Sequence, residues 1–407
     1  MPKINAQRLL GDLDRLRSFG EFGKGVVRPS FSEVDMKSRE WLVTKFTEAN
    51  LEASIDGIGN VFGISKNPGP AILIGSHTDT QPTGGWLDGA MGVIYGLEIS
   101  RALRESSDTS RLAIDVASWI DEEATYIGFL GSRSFVNDLP QKIVDESVNE
   151  CGYRLVDALR DYGLHDRERI HYREGRYLGY LEAHIEQGPY LEAENKQIGV
   201  VTSIIGMRDF DVNFIGQQNH AGTTPMHLRK DAGVAAIEFA HRVRNAFQRL
   251  VHERTVYTVG RIRFHPGAPS IVPGSADLIL QFRDADDDLL DRMETCAENV
   301  LDEVAKDIGV TAEMKHRSND AVSAQMDMGF QKHLSDSAER HANGKWMAMP
   351  SGAAHDAQII SKVMPAGMLF VPSINGISHD FCEDTSREDI VLGCQVLASA
   401  CASLLQA

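Results

Sequence analysis

Hydrophobic residues recur at helical spacing near the start of the chain and then give way to short apolar runs. The spacing predicts helices over 6–16 and 34–49, followed by a glycine-rich turn over 56–60. Short runs with apolar residues at nearly every position are typical of strands buried on both faces. Such strands are predicted at 71–74, 112–120, 177–183 and 367–371. Helical stretches such as 92–103 lie between them, and this alternation predicts a layered α/β domain.

The pattern changes after residue 206. Strands and helices are then predicted in the order β-α-β-β-α-β, at 208–215, 230–250, 255–264, 276–283, 287–308 and 310–316. This order is the split pattern of a ferredoxin-like sandwich. The α/β pattern resumes at about residue 323. We therefore expect a small domain, 207–322, inserted into a larger one made of 1–206 and 323–407.

The chain length and charge narrow the function classes. With 407 residues the chain is longer than one typical domain, which agrees with this division. Its formal net charge is −17, so most of the surface repels a polyanion and no nucleic-acid partner is expected. Much of this charge is also accounted for by solubility alone.

The cysteines and apolar segments bear on the cellular location of the protein. Five cysteines are scattered without a Cys-x-x-Cys pair, which predicts neither a disulfide framework nor a thiolate zinc site. The first 20 residues lack the basic start and apolar core of a signal peptide. No uninterrupted run approaches the roughly 20 apolar residues that a membrane span needs. We therefore expect a cytoplasmic protein with no membrane partner.

A histidine and an aspartate stand at the end of the first predicted buried strand. In 72–79 an apolar run ends in His77 and Asp79, and strand alternation places both side chains on one face. His77 can then bind a metal while Asp79 accepts the hydrogen of its other ring nitrogen. The His-x-Asp pattern alone is weak, because most such pairs are incidental.

Two acidic segments follow this strand. Glycines around Asp88 free the backbone to bring its carboxylate close to an ion, although a turn explains them equally well. Asp121, Glu122 and Glu123 come directly after the second strand. Such a triplet is unremarkable at a helix start. Beside metals, however, one acid can bind the ion while its neighbour takes a proton from water.

Two more histidines, His184 and His379, stand beyond the third and fourth predicted strands. Either one alone is more often an ordinary core or surface residue. Together with His77 and the pair Glu122 and Glu123, they mark four strand ends, where open α/β sheets hold their ligands. The joint pattern therefore favours a common site.

Three histidines and two carboxylates are the ligands that two divalent ions need if one carboxylate bridges them. Nitrogen and oxygen donors favour zinc, manganese, cobalt or nickel over calcium. A water that bridges two such ions loses a proton near neutral pH and becomes a nucleophile. The residues thus predict a two-metal hydrolase that acts through a metal-bridging hydroxide.

These motifs resemble the amidase/hydantoinase/carbamoylase branch of the aminoacylase and carboxypeptidase G type dinuclear metallohydrolases. That branch includes N-carbamoyl-L-amino acid hydrolase, β-ureidopropionase and allantoate amidohydrolase. Each matching string is short, but together they are highly specific and span nearly the whole chain in order. They are Gly-Ser-His-Thr-Asp at 75–79, Asp-Gly at 88–89, Asp-Glu-Glu at 121–123, Ala-His-Ile-Glu-Gln-Gly at 183–188, Asn-His-Ala-Gly-Thr-Thr-Pro-Met at 219–226, Pro-Ser-Gly at 350–352, His-Asp-Ala at 355–357 and Ser-His at 378–379.

The resemblance implies a mixed-sheet α/β metallohydrolase domain with an inserted ferredoxin-like α+β domain that makes a homodimer and closes as a lid. It also implies two divalent metal ions, with zinc the first expectation. In the implied arrangement Asp88 bridges the ions. His77 and His184 complete one site, and Glu123 and His379 complete the other.

The resemblance further implies how a substrate is handled. Glu122 is the general base, and Asp79 belongs to the catalytic set. His220 of the partner subunit donates a hydrogen bond to the tetrahedral intermediate, although composition alone favours a helix-entry loop there. Arg283 binds the substrate carboxylate through its planar guanidinium, and Gln187 contacts the ureido group. The remaining expected substrate contacts are Ser270, Gly352 and Ala353.

The implied function is hydrolysis of an N-carbamoyl (ureido) group on a small carboxylate-bearing substrate, because His184 stands where peptidase-like relatives place a carboxylate. An aminoacylase or dipeptidase acting on N-acyl amino acids or dipeptides is the nearest alternative. A non-catalytic dimeric binding protein is a third. The chain departs from the family pattern at Ser270, at Ala354 and at the pair Trp86 and Leu87, and we expect these positions to reshape the substrate pocket.

Overall fold

A computed structural model describes residues 2–317 and 321–407. The chain forms two compact units, one made of Met1–Ile204 with Gln325–Ala407 and the other of Ile205–Ala324. The inserted domain predicted at 207–322 includes residues 318–320, which lie outside the described residues.

Six of the twelve α-helices in the described residues begin at a residue whose side chain caps them. Ser32, Asp231, Asp286 and Ser386 each accept a backbone N–H of the first turn that follows. In chain order the α-helices are α1 (Ala6–Arg17), α2 (Glu33–Glu48), α3 (Ala90–Glu105), α4 (Leu130–Phe135), α5 (Gln141–Glu146), α6 (Leu155–Asp161), α7 (Tyr190–Ala193), α8 (Ala232–Phe247), α9 (Asp287–Ile308), α10 (Met328–His341), α11 (Asp356–Ile360) and α12 (Arg387–Gln406). Short 3-10 helices cover Met226–Leu228 and Ile374–Gly376.

The strands of the described residues belong to two larger sheets and two small ribbons. In chain order they are β1 (Glu21–Phe22), β2 (Gly25–Val26), β3 (Glu52–Ile55), β4 (Val61–Ile64), β5 (Ala71–His77), β6 (Ile114–Trp119), β7 (Tyr177–Ile185), β8 (Ile198–Ile204), β9 (Gly206–Ile215), β10 (Asn219–His220), β11 (Val256–His265), β12 (Ile271–Val272), β13 (Ser275–Asp284), β14 (Thr311–His316), β15 (Ala324–Gln325), β16 (Trp346–Ser351) and β17 (Ala366–Val371).

The sheet of the first unit is mixed, as the family resemblance implies. Its strands run in the order β15-β8-β17-β7-β5-β6-β4-β3, and β16 pairs with β8. The four central strands β17, β7, β5 and β6 are parallel. Strands β3 and β4 pair antiparallel with their neighbours, and β8 pairs antiparallel with β17 but parallel with β16. Because parallel strands end at the same edge, side chains at the carboxyl ends of these four strands meet there. In register, His77 lies opposite Trp119, and His184 lies opposite Phe370.

The centre of this sheet is apolar because layers on both faces cover it. Every residue of β5 is buried, and Ile72, Leu73 and Ile74 have no exposed surface. Burying each such side chain contributes about 1.5–3 kcal/mol. The strand therefore holds its last residue, His77, in a fixed position.

Helix α12 is long and apolar enough to cross a membrane by length and composition, with a mean hydropathy of 1.4. It packs on α3, α10 and β17, and 56% of the apolar window is buried inside the protein. Packing within the first unit thus accounts for its composition.

The second unit has the β-α-β-β-α-β order, β9-α8-β11-β13-α9-β14. Its four strands form an antiparallel sheet in the order β11-β13-β9-β14. Helices α8 and α9 pack on this sheet around a separate apolar core that includes Phe210, Phe239 and Phe282. This is the split arrangement of a ferredoxin-like sandwich.

Candidate metal centre

His77 is the last residue of β5, and its ring is buried. Its Nδ1 lies 3.0 Å from the backbone carbonyl oxygen of Asp79. A carbonyl oxygen only accepts, so in the neutral ring Nδ1 carries the hydrogen and Nε2 has a free lone pair. Nε2 lies 3.7 Å from a carboxylate oxygen of Asp88 and 3.7 Å from one of Glu122. The ring is thus oriented to bind a cation between these acids.

The predicted hydrogen bond from His77 to the Asp79 carboxylate is absent. The nearest carboxylate oxygen is 3.8 Å from Nδ1, which is beyond hydrogen-bond range. Strand β5 ends at His77, so strand alternation does not reach Asp79. The other oxygen of Asp79 instead accepts the backbone N–H of Glu123 at 3.1 Å. Asp79 therefore positions the loop that carries the glutamates.

His184 is the second-last residue of β7, inside the strand rather than beyond it as predicted. Its Nδ1 lies 3.0 Å from the carbonyl oxygen of Ile185, so its Nε2 also presents a lone pair. That Nε2 lies 3.2 Å from Asp88 Oδ1 and accepts the N–H of Gly89 at 3.0 Å. Its ring stacks on that of His77 at 5.8 Å between centroids. Two neighbouring parallel strands thus aim both rings at one aspartate.

Asp88 belongs to two ligand groups, whose histidines lie nearest to different oxygens of its carboxylate. One group is His77, Asp88 and His184, and the other is Asp88, Glu123 and His379. Within each group the candidate ligand atoms lie within 4.8 Å of one another. His379 Nε2 is 3.4 Å from Asp88 Oδ2 and 3.8 Å from Glu123 Oε1. A third group combines His77, Glu122 and Glu123.

The three consecutive acids after β6, Asp121, Glu122 and Glu123, make different contacts. Asp121 turns away from the histidines, and its carboxylate accepts the backbone N–H groups of Thr125, Tyr126 and Ile127 at 2.7–2.9 Å. A carboxylate with three N–H donors holds the loop in shape. Glu122 and Glu123 are left facing the histidines.

Two buried oxygens indicate that this site takes a cation. Glu123 Oε1 and Asp79 Oδ1 have no hydrogen-bond partner among the described residues. A buried acceptor without a partner is costly, and a cation between Glu123 and His379 would satisfy the first of them. The donor set of imidazole nitrogens and carboxylate oxygens suits a divalent metal ion. The residues present therefore fit a divalent metal site.

Burial and like charge raise the pKa of the two glutamates. The pKa of Glu122 lies well above its usual range because of burial, with Glu123 adding to the shift and His77 opposing it. Burial raises the pKa of Glu123 to about 7, and the charge of Asp88 adds to it. Asp88 is the opposite case. Although burial opposes its charge, contacts with the surrounding histidines hold its pKa well below the usual range.

The negative charge of the same acids raises the pKa values of the three histidines. Contact with Asp88 raises the pKa of His379 to about 9. Burial disfavours the charged rings of His77 and His184, but the neighbouring acids outweigh it and raise both pKa values. A site that draws protons onto its histidines also draws metal ions, which compete with protons for the same nitrogens.

Gln187 is predicted to contact substrate, and its amide reaches the ligands themselves. Its Nε2 lies 3.3 Å from both oxygens of Asp88, 3.3 Å from His379 Nε2 and 3.1 Å from Ser378 Oγ. The amide thus places partial positive charge between Asp88 and His379.

The segment after β16 lies against His184. The ring of His355 is 4.6 Å from that of His184, and its Nε2 lies 3.0 Å from Ser351 Oγ. Ser351 also bonds the backbone of Ala353, while the neighbouring Gly352 is exposed. Gly352 and Ala353, both predicted substrate contacts, are therefore near the histidines of the site.

The predicted catalytic residue His220 and the predicted substrate contacts Ser270 and Arg283 belong to the second unit. His220 is exposed on the β10 ribbon, and its Nδ1 accepts the N–H groups of Gly222 and Thr223 at 2.9 and 3.2 Å. Its Nε2 therefore carries the hydrogen in the neutral ring and is a donor. The carbonyl of the exposed Ser270 accepts the N–H of Ala221. Arg283, on β13, is half-buried, and this burial lowers its pKa.

Comparison with known proteins identifies the family of this fold and site. Residues 73–403 match the model of the peptidase family M20/M25/M40. The chain belongs to this family. The M20 assignment agrees with the resemblance seen in the sequence motifs.

Relatives of this M20 chain match it over almost their whole length. An N-carbamoyl-L-amino-acid amidohydrolase from Paenarthrobacter aurescens is 33% identical, over 98% of this chain and 97% of that protein. A ureidoglycolate hydrolase from Arabidopsis thaliana is 30% identical, over 98% of this chain and 87% of that protein. The crystal structure of an amidase of the hydantoinase/carbamoylase family from Burkholderia phymatum superposes with a TM-score of 0.92, at 52% identity, and covers 100% of this chain and 99% of that one.

One departure from the family pattern has a different consequence from the expected one. In this M20 chain the Trp86 side chain is buried and contacts residues other than the candidate metal ligands. The guanidinium groups of Arg17 and Arg387 lie over its ring, at 5.1 and 5.6 Å from the ring centroid, and its Nε1 donates to Asp384. Leu87 is buried in the apolar core. Both residues anchor the turn before Asp88 instead of reshaping a pocket.

Glu383 is a residue of the site that the sequence motifs did not single out. It is buried, and it accepts the backbone N–H of Asp88 at 3.2 Å. The available signal was an acid four residues after His379, which is unremarkable in so acidic a chain. Its position against Asp88 depends on two segments that are distant in sequence.

Proposed function

We propose that this M20 member is a metal-dependent amidohydrolase that cleaves the N-carbamoyl group of a small, carboxylate-bearing substrate with two divalent cations. One observation carries the proposal. Asp88 belongs at once to the group with His77 and His184 and to the group with Glu123 and His379, as one carboxylate bridging two cations requires. Relatives named N-carbamoyl-L-amino-acid amidohydrolase, at 30–33% identity, support the substrate class.

The residues around Asp88 have complementary tasks in this reaction. Bound divalent cations polarise a carbonyl and lower the pKa of water towards neutrality. Glu122, buried beside His77, takes the proton of the attacking water and returns it to the leaving nitrogen. Water adds to the ureido carbon and a C–N bond breaks. The complete reaction of R–NH–CO–NH₂ with one water gives R–NH₂, carbon dioxide and ammonia.

We assign substrate selection to the residues that the family resemblance implies. Gln187 is the proposed contact of the ureido group, and Arg283 binds the substrate carboxylate through its planar guanidinium. His220 of the partner subunit donates from Nε2 to the oxygen on which charge develops. The remaining proposed substrate contacts are Ser270, Gly352 and Ala353.

We also propose that the second unit forms a homodimer. Strand β11 is an edge of its sheet, and an edge strand has backbone groups available for pairing. Val234 and Ile237 of α8 are 44% and 54% exposed, and Val256 of β11 is 54% exposed. An apolar helix face beside an edge strand suits a symmetric contact between two copies. Sedimentation of the Ile237→Glu variant should then give monomers where the unaltered chain gives dimers.

Product analysis tests the reaction. The protein is stripped with a chelator, reloaded separately with zinc, manganese, cobalt or nickel, and supplied with N-carbamoyl amino acids, ureidoglycolate, N-acetyl amino acids and dipeptides. We expect ammonia from ureido substrates, two metal ions per chain, and no turnover after stripping. Zinc is the first expectation for the ion retained on purification.

The same panel separates the alternatives. Acetate from N-acetyl amino acids or free amino acids from dipeptides, without ammonia from any ureido substrate, would identify an aminoacylase or dipeptidase. Absence of turnover with every metal would favour a non-catalytic binding protein. Ammonia from ureidoglycolate in preference to N-carbamoyl amino acids would move the substrate towards that of the Arabidopsis thaliana relative.

A further inference from the structure

Two segments far apart in sequence hold the ligands of one proposed cation site. Asp88 ends the segment 83–88, and His379 begins the segment 379–384. Three hydrogen bonds join these segments: Thr83 Oγ1 to the carbonyl of His379 at 3.2 Å, Trp86 Nε1 to the Asp384 carboxylate at 3.2 Å, and the Asp88 N–H to the Glu383 carboxylate at 3.2 Å. Of these three hydrogen bonds, only the one to Glu383 is donated by the backbone N–H of a proposed metal ligand, Asp88.

Both oxygens of Glu383 are engaged, one towards each ligand. Oε1 accepts the N–H of Asp88, and Oε2 accepts the hydroxyl hydrogen of Ser378 at 2.9 Å. Ser378 directly precedes His379, and its Oγ accepts from Gln187 Nε2 at 3.1 Å. A single carboxylate therefore links the backbone of Asp88 to the residue before His379.

The segment 83–88 is shaped to receive this carboxylate. An ideal Cβ on Gly85 would lie 1.8 Å from Glu383 Oε1 and 2.1 Å from its Cδ. No side chain fits there, so Gly85 allows Glu383 to lie against the backbone. The Glu383 side chain is buried, with 1% of the residue exposed. Its position is thus fixed from both segments.

His379 needs such support more than the other two histidines. His77 and His184 lie in central strands and are buried. His379 lies in a loop, its side chain is 51% exposed, and its backbone has a φ of 55°, in the left-handed region. A non-glycine residue in that conformation is strained and depends on its surroundings. Neighbouring hydrogen bonds must therefore fix its distance from Asp88.

We propose that Glu383 is a positioning residue that sets the separation of Asp88 and His379 and thereby the affinity for the cation that they share with Glu123. The inference rests on the proposed metal centre. Residues that orient metal ligands in this way typically change affinity by about 10- to 100-fold when they are replaced.

The test compares Glu383→Ala, Glu383→Gln and Ser378→Ala with the unaltered full chain, by calorimetric titration of the stripped protein with Zn²⁺. Glu383→Ala should weaken one of two binding events by about 10- to 100-fold and leave the other unchanged. Glu383→Gln should retain most of the affinity, because its amide oxygen accepts from Asp88 while its NH₂ donates to Ser378 Oγ. Ser378→Ala, which removes one link, should fall between them.

A second measurement is independent of metal. Hydrogen–deuterium exchange of the stripped protein should be faster in the peptide containing Asp88 in Glu383→Ala than in the unaltered chain. Glu98→Ala is the matched control, since Glu98 is also fully buried but accepts hydrogen bonds from Asn5 and Arg8, between α1 and α3. It should change stability without changing exchange at Asp88 or Zn²⁺ affinity.

Three outcomes would overturn the inference: equal weakening of both binding events in Glu383→Ala, loss in Glu383→Gln as large as in Glu383→Ala, or unchanged exchange at Asp88. Should Glu383→Ala fail to fold, the Zn²⁺ affinities of Glu383→Gln and Ser378→Ala still test the positioning role of Glu383. If the unaltered chain binds no Zn²⁺, the proposed function fails, while the exchange measurement still judges the link between Glu383 and Asp88.

Discussion

The backbone of Gly89 lies directly against the ring of His77. An ideal Cβ on Gly89 would lie 2.3 Å from His77 Cδ2 and 2.4 Å from Nε2, and Gly89 has a φ of 63°. Gly89→Ala must therefore push the imidazole away from Asp88 and His184. We expect it to weaken binding of the cation at His77 by about tenfold or more, measured by titration of the stripped protein with Zn²⁺.

Gly163→Ala is the matched control. Gly163 also has a φ of 63°, but a Cβ there would have no neighbour within 4 Å. The control should lose about 1–2 kcal/mol of stability from backbone strain alone and keep its Zn²⁺ affinity. Equal affinities in the two variants would show that the contact with His77 does not matter.

Replacing Glu122 should separate metal binding from proton transfer. Glu122→Gln keeps the size of the side chain but removes the base, so turnover should fall by about 10²- to 10⁴-fold. Metal content, measured by mass spectrometry of the elements, should stay at two ions per chain. Glu123→Gln, in contrast, should lose an ion. Near-normal turnover of fully loaded Glu122→Gln would remove Glu122 from its role.

The sequence predicts elements best where local signals agree. Helix α9 runs over the predicted residues 287–308, because its apolar stripe is continuous, Asp286 caps its start and Gly309 ends it in the left-handed conformation. For β6, β7 and β17 the predicted ends lie within two residues of the observed ones. Strand β5 is three residues longer than predicted, because Gly75, Ser76 and His77 do not continue the apolar run. Short helices such as α4, α5 and α6 lack enough turns to show a period.

The sequence predicts the site less completely than the fold, because the positions of the site side chains depend on tertiary contacts. The motifs predict the residues around Asp88, but strand alternation predicts the wrong acceptor for His77. The acceptor is the backbone carbonyl of Asp79 and not its carboxylate, because β5 ends before Asp79. Trp86 is expected to reshape the pocket because it departs from the family pattern just before Asp88, but its ring is buried and contacts Arg17 and Arg387. Glu383 has no local pattern at all. Contacts of this kind join segments hundreds of residues apart.

A buried ion pair supports the loop that carries the glutamates. Arg39 and Asp35 pair at 3.0 Å with no exposed side-chain surface, and Arg39 also donates to the carbonyls of Ser118 and Trp119 at the end of β6. Arg39→Met leaves buried acceptors and a charge without a partner. It should cost about 3–5 kcal/mol of unfolding free energy, measured with denaturant at fixed metal concentration.

An exposed pair in the same protein is the control for that loss. Arg160 and Asp157 lie 2.9 Å apart with 56% and 38% of their side chains exposed. Arg160→Met should cost about 0–1 kcal/mol, because water and salt screen the pair. If Arg39→Met and Arg160→Met lose the same unfolding free energy, burial does not explain the contribution of the Arg39–Asp35 pair to stability.

His220 offers a test of whether two subunits build one active site. Its Nδ1 accepts two backbone N–H groups, so its Nε2–H is available to a substrate oxygen. His220→Ala should lose about 10²- to 10³-fold in turnover while keeping both metal ions. Mixing it with Glu122→Gln through a cycle of dissociation and reassembly should restore about a quarter of the unaltered activity, since half of the dimers become hybrids with one intact site each. Each variant taken alone through the same cycle must stay inactive. A mixture no more active than its components would place His220 and Glu122 of one site in the same subunit, or remove His220 from the reaction.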